Sequence, residues 1–312
     1  MIAEDLNIEI DPYWDVFDIT DYETFKKKFL HEMYFKPEVH GDVQESFRVI
    51  QRLLELGYYE HRFFEVAYTK ALLTLEMAFK QRYRELESKE WDGDLWPLMG
   101  WLHKRTYFDV YNRHFMKNML DLRNHFAHPV TGSFAGVGQS NLILYTMDLI
   151  NGLYEDNRLT GERLEKGKQF FRKIEKLGPG YKVITENEVH FAFNIWLSFY
   201  DNKSTPSKIH VFVQPVYEIP NPYFDDNNQF QLSQVYKWLA SDLTIEEGAI
   251  KLPDETGRVM EIRSIGCEIE MNQFLKWKKG YNDFDVQTGD VVLRSGYATD
   301  TFVHYLRDFH KR

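Results

Sequence analysis

The sequence predicts an α+β protein: an N-terminal all-α helical bundle followed by a smaller α+β domain. Three observations lead there. Apolar residues recur at helical spacing through most of the first half of the chain. The run Gly178-Pro179-Gly180 is strong turn punctuation. Beyond it, β-branched and aromatic runs take over. On this basis the chain divides into an acidic N-terminal segment (1–42), a helical domain (43–177) and an α+β domain (181–312).

The helices read in order. Val43 to Gly57 has helical apolar spacing and a glycine stop. Phe63 to Leu86 is a long helix. Phe64, Ala67, Tyr68, Ala71, Leu72, Leu75, Ala78 and Phe79 make one stripe, while Val66, Leu73 and Met77 begin a second apolar face. Two apolar faces suit a central position in a bundle or a dimer seam. Leu95 to Arg105 is a shorter helix, and Asn112 to Ala127 another. A glycine-rich loop, Thr131 to Asn141, separates these from Leu142 to Asp156 and from the polar helix Gly161 to Leu177. After the punctuation, Val189 to Tyr200, Lys208 to Ile219, Gly257 to Ile265 and Asp290 to Gly296 read as strands. Gln231 to Ala240, Ile269 to Tyr281 and Asp300 to Arg312 read as helices.

Composition narrows the class. A chain of 312 residues with 43% hydrophobic and 28% charged content fits a globular protein. The 24 Phe, 19 Tyr and 7 Trp supply large core-filling side chains. No apolar run approaches the 18 or so residues of a membrane span, so no membrane partner is expected. The start lacks the basic and apolar regions of a signal peptide. Cys267 is the lone cysteine and has no internal disulfide partner. Both features fit a reducing, cytoplasmic location. Of the net charge of −10, eight acids and no bases fall between Met1 and Thr24, leaving the remainder near −2. Bulk charge therefore does not advertise nucleic-acid binding, and any such contact is local. The acidic start reads as a solvated segment, or as one that covers a basic groove until displaced.

The stretch Asp121-Leu-Arg-Asn-His-Phe-Ala-His-Pro-Val130 concentrates the chemistry. With Phe115 at zero on an ideal helix, Arg123 falls at about 80°, inside the stripe made by Met116, Met119, Leu120 and Phe126. A cation among packed apolar groups must be paired or reach a cavity, because stranding it costs several kcal/mol. Glu76 is a candidate ion-pair partner. His128 lies about 140° further round a straight helix, but it precedes Pro129, which disfavours helical backbone there. The chain can turn and bring His128 back toward Arg123. Asn124 can fix a phosphate or hold the imidazole's tautomer. Arginine, amide and histidine together suit cleavage of a phosphodiester by its own 2′-hydroxyl. The imidazole serves as general base or acid. The guanidinium holds the phosphate and stabilises its developing charge. Neither a metal nor a cofactor is required. The competing readings are a helix-end cap for His128 and a structural ion pair for Arg123. A metal site at Asp121, His125 and His128 lacks a fourth clear ligand. The loop with Gly132, Gly136 and Gly138 lacks the Lys-Ser/Thr of a P-loop.

Arg123-Asn124-x-x-x-His128, in the wording Leu122-Arg-Asn-His-Phe-Ala-His-Pro129, resembles the R-x4-6-H motif of HEPN domains (higher eukaryotes and prokaryotes nucleotide-binding). The preceding helix, Ala67 to Tyr83, is similar as well, and the resemblance spans about 43–156. It implies a helical bundle that dimerises with two motifs facing across the seam. It also implies a metal-independent endoribonuclease with Arg123, Asn124 and His128 as catalytic residues, often in a toxin or antiviral-defence system. Val130 stands where some toxin members carry a tyrosine that an antitoxin modifies, so the resemblance does not extend to that regulation. The expected partners are an RNA substrate, a second copy of the chain, and a regulatory ligand or protein at the C-terminal domain. The alternative is a non-catalytic HEPN-like module that binds nucleotide or RNA, or only dimerises.

Overall fold

The structure is a computed structural model. It describes residues 9–108, 117, 138–205, 207–218, 236–246, 248–288, 309 and 311. The chain is mixed, 52% helical and 18% strand. It divides into two compact units, Met1–Thr160 with Asp300–Arg312, and Gly161–Thr299.

The first unit starts with a short 3-10 helix, Pro12–Phe17. Asp11 caps it through a carboxylate that accepts from the Tyr13 amide, and Pro12 supplies a preset φ at its start. Asp21 caps α1 (Tyr22–Phe29) in the same way, and Lys26, Lys27 and Lys28 meet the negative end of its dipole. α2 (Gly41–Leu56) buries Val43, Phe47, Ile50 and Leu54, spaced to one face. α3 (Phe63–Glu87) buries every residue of the predicted main stripe. α4 (Leu95–Lys104) adds Leu98, Met99 and Leu102. α5 (Gly138–Gly152) adds Ile143, Leu144, Met147 and Ile150.

The expectation that the acidic start, Met1 to Thr24, is a solvated segment is corrected from Glu9 onward, and the core residues continue beyond it to Val39. Trp14, Ile19, Phe25, Phe29 and Val39 belong to the helical core. The acids do not oppose this, because Asp15 and Asp18 face outward and Asp11 and Asp21 are helix caps. Trp14 is 1% exposed, and its Nε1 donates to the carbonyls of Gly57 and Tyr58, both at 3.0 Å.

A second irregular stretch, Tyr34 to Lys36, is strapped to α5. Asn151 donates to the Tyr34 carbonyl and accepts from the Lys36 amide, each at 2.9 Å. Lys36 Nζ pairs with Glu155 at 2.9 Å. At the chain's end, Lys311 pairs with Glu32.

The second unit holds α6 (Asn157–Glu175) from Gly161 onward and a seven-stranded sheet ordered β4-β3-β2-β1-β7-β6-β5. The strands are β1 (Tyr181–Ile184), β2 (Val189–Asp201), β3 (Lys208–Val216), β4 (Tyr236–Ala240), β5 (Thr244–Glu246), β6 (Ala249–Pro253) and β7 (Val259–Ser264). Every neighbouring pair is antiparallel. β1 sits at the centre, with Val183 opposite His190 on one side and Ile262 on the other. Phe170 and Ile174 of α6 pack on the face carrying Val183, Val211, Val213, Leu252 and Ile262. Phe274 of α7 (Glu268–Thr288) packs with Phe191, Val216 and Ile265. Glu270 of α7 pairs with Lys182. Lys182 and Val183 are successive strand residues and point to opposite faces, so α6 and α7 cover opposite sides of the sheet.

Three differences from the sequence reading have physical causes. The compact units divide at Gly161 rather than near Gly178, because Phe170 and Ile174 are part of the sheet's core. Phe309 and Lys311, expected in the α+β domain, go with the helical unit. Within Gln231 to Ala240, residues Tyr236–Ala240 are strand β4, not helix, because β3 offers them a full antiparallel ladder. The expected strand Asp290 to Gly296 lies outside the described residues, as does the expected helix Asn112 to Ala127 except Lys117.

Candidate functional site

Arg123, Asn124 and His128 lie outside the described residues, as do Asp121 and His125. The residues that flank this stretch in sequence are described, and they are anchored. After α4 the chain turns through Thr106, at φ 66°. It then buries Tyr107 and Phe108, at 6% and 4% exposure. Phe108 stacks on Phe79 of α3 at 6.0 Å between ring centres, and its carbonyl lies 2.8 Å from His103 Nδ1. Gly138 is the first residue of α5, which packs against α3.

An arginine is sandwiched beside this entry point. The Arg82 guanidinium lies 5.5 Å from the Tyr107 ring centre and 4.8 Å from that of Tyr154. It donates to Glu85 at 2.9 Å, and Tyr154 donates to the same carboxylate at 3.2 Å. Burial opposes the charge on Arg82, but the Glu85 carboxylate and Tyr107 outweigh it and push its pKa upward. Burial, with Glu85 beside it, also pushes the Tyr154 hydroxyl upward. The cluster thus keeps a permanent cation and a protonated phenol next to Tyr107. Nothing in the linear sequence marks it, because Arg82, Tyr107 and Tyr154 come from three separate elements.

Glu76 is the acid considered as a partner for Arg123. Glu76 accepts from Lys80 at 2.8 Å, one helical turn along α3. Asp148 on α5, 4% exposed, and Glu155, 7% exposed, are buried acids of this unit. Of the second apolar face of α3, Val66 and Leu73 are 50% and 47% exposed, while Met77 packs against the core.

The second unit has its own cleft, of about 300 Å³, lined by Thr185 to Glu188, His190, Trp238 and Arg258. Arg258 lies 5.7 Å from the Trp238 ring centre and is held by Asp254 at 2.7 Å. His190 is 8% exposed; burial depresses its pKa and Glu188 opposes the shift, so the imidazole is held toward its neutral form. These groups offer a planar aromatic surface, a cation and an imidazole to a ligand. Their assembly follows from strand register, with His190 paired to Val183 and Trp238 to Val211.

Among the described residues, Asp11, Glu60 and His61 are the group of His, Cys, Asp and Glu side chains close enough to share a metal ion. No helix among the described residues is long and apolar enough to cross a membrane. Comparison with known proteins finds no matching family model, no matching curated protein and no matching solved structure.

Proposed function

We propose that the chain is a metal-independent endoribonuclease of HEPN type that works as a dimer and cleaves RNA through attack of the 2′-hydroxyl. The observation that carries this reading is Arg123-Asn124-x-x-x-His128 placed directly before Pro129, with Arg123 on the apolar side of the helix that the sequence predicts. In this reading His128 moves the proton, Arg123 neutralises the phosphate and Asn124 orients one or the other. A helical unit with a long α3 at its core supports it, and Val66 and Leu73 supply an exposed apolar stripe for a dimer seam. Arg82, held by Glu85 between Tyr107 and Tyr154, would lend positive charge near the start of the motif segment. The setting would be a toxin or antiviral-defence system, with the cleft near His190 and Trp238 as the place for a regulatory ligand.

The test is cleavage of a mixed RNA pool by the purified chain in the presence of a chelator. The expected products end in 2′,3′-cyclic phosphate, and His128→Ala and Arg123→Ala each lower the rate by about 100-fold or more. Undiminished cleavage by His128→Ala, or an absolute need for a divalent ion, refutes the reading.

A further inference from the structure

We propose that Asp11, Glu60 and His61 bind one divalent transition-metal ion, zinc by preference, which clasps the N-terminal segment to the turn between α2 and α3. His61 Nδ1 lies 2.7 Å from Asp11 Oδ2 and 3.8 Å from Glu60 Oε1. One donor atom from each residue falls within 4.8 Å of the others. Nitrogen and oxygen ligands at about 2.0–2.2 Å from a tetrahedral ion stand roughly 3.3–3.6 Å apart. Side-chain shifts on the order of 1 Å therefore bring all three donors onto one ion.

The donors are held before any ion arrives. The His61 ring stacks on Tyr13 at 4.3 Å and 14°. Asp11 Oδ1 accepts from the Tyr13 amide at 2.9 Å, and Oδ2 accepts from the His61 amide. That leaves Oδ2 a lone pair for a cation. Glu60 Oε1 accepts from the Arg62 amide at 3.3 Å. The backbone joins the same two segments, with the Asp11 amide donating to the Tyr58 carbonyl at 3.2 Å.

A histidine–aspartate hydrogen bond needs no second carboxylate, yet Glu60 faces the same nitrogen. Arg62 Nε stands 3.8 Å from Glu60 on a side chain that is 68% exposed, so it neutralises the two acids weakly. An imidazole with two carboxylates suits zinc-like ions better than calcium or magnesium, which take oxygen ligands in larger number. Glu60 is 47% exposed at its side chain, which leaves an entry path and room for water as the fourth ligand. Binding takes the place of the hydrogen bond between His61 Nδ1 and Asp11 Oδ2; a neutral imidazole carries its proton on Nε2 when Nδ1 takes the ion.

The test uses the full chain without an affinity tag, stripped with chelator and titrated by calorimetry with zinc chloride, then with magnesium and calcium chloride. The expected result is saturable zinc binding at one ion per chain, no comparable binding of magnesium or calcium, and slower proteolysis before Tyr22 when zinc is present. Glu60→Gln, at an exposed position, and His61→Gln should each weaken binding by about tenfold or more, a loss of the size that even supporting residues of metal sites cause. Glu60→Gln should leave the metal-free melting temperature unchanged. Zinc binding that both variants retain, or no saturable binding, overturns the proposal. These readouts involve no RNA cleavage, so the site and the proposed activity fail independently.

Discussion

Replacing Asn151 by alanine should release the stretch around Tyr34 and Lys36 from α5. Asn151 is fully buried, and its amide serves both directions of one backbone segment, donating to the Tyr34 carbonyl and accepting from the Lys36 amide, each at 2.9 Å. An intramolecular hydrogen bond contributes about 1 kcal/mol net, so losing two costs about 2 kcal/mol. The segment is half-buried, so water can replace part of what is lost and the upper range for orphaned groups does not apply. About 2 kcal/mol corresponds to roughly a 30-fold change in an equilibrium constant. Native-state hydrogen exchange at the Lys36 amide reads this directly: protection should fall by about 30-fold in Asn151→Ala. Asn151→Leu, which fills the space without hydrogen bonds, should lose protection to a similar extent. Protection within about twofold of the parent in Asn151→Ala, a change under ~0.5 kcal/mol, would refute the reasoning. So would rescue by leucine, which would assign the effect to packing.

Glu155→Gln removes the counter-charge of the Lys36 ammonium at a site where the two side chains are 12% and 5% exposed, and should cost about 3 kcal/mol in denaturant unfolding. Tyr68→Phe should be neutral or stabilising by about 1 kcal/mol, because the Tyr68 hydroxyl is buried with no hydrogen-bond partner among the described residues. A clear loss of stability would contradict that. Gly57→Ala should destabilise by about 1–3 kcal/mol in thermal unfolding, since a Cβ there would meet the Phe64 ring at 2.4 Å and the Leu54 carbonyl at 2.9 Å, and Phe64 is locked in the core. Asp254 accepts from the Thr256 hydroxyl, the Arg258 guanidinium and two backbone amides, which hold its pKa at about 2 against an ordinary 3.8. A carboxylate depressed on folding adds stability above pH 3.8 that is lost as pH falls through 2. The stability difference between the parent and Asp254→Asn should therefore be constant near neutrality and close in that acid window.

Periodicity alone located most of the elements. The main stripe of α3 is buried residue for residue, because a helix's apolar face is encoded locally at its own repeat. The change of class after Gly178 was visible for the same reason, in the β-branched runs that became β2, β3 and β7. Short strands were not: β1, β5 and β6 are 4, 3 and 5 residues long, too brief for a pattern to stand out. Arg123, Asn124 and His128 were legible as a motif, from residue types and the turn that Pro129 permits.

Sequence by itself determined which faces are apolar, where the helices run and which residues carry the candidate chemistry, since each depends on neighbours within a few positions. Tertiary structure decided what distant residues do together. Trp14 turned the acidic start into core by reaching the carbonyls of Gly57 and Tyr58. Phe170 and Ile174 moved a polar-looking helix into the sheet domain. Tyr236 to Ala240 became a strand because β3 had an edge to fill. Asp11 met His61 across fifty positions, a distance along the chain at which no local pattern carries information, and only packing brings such groups within reach of one ion.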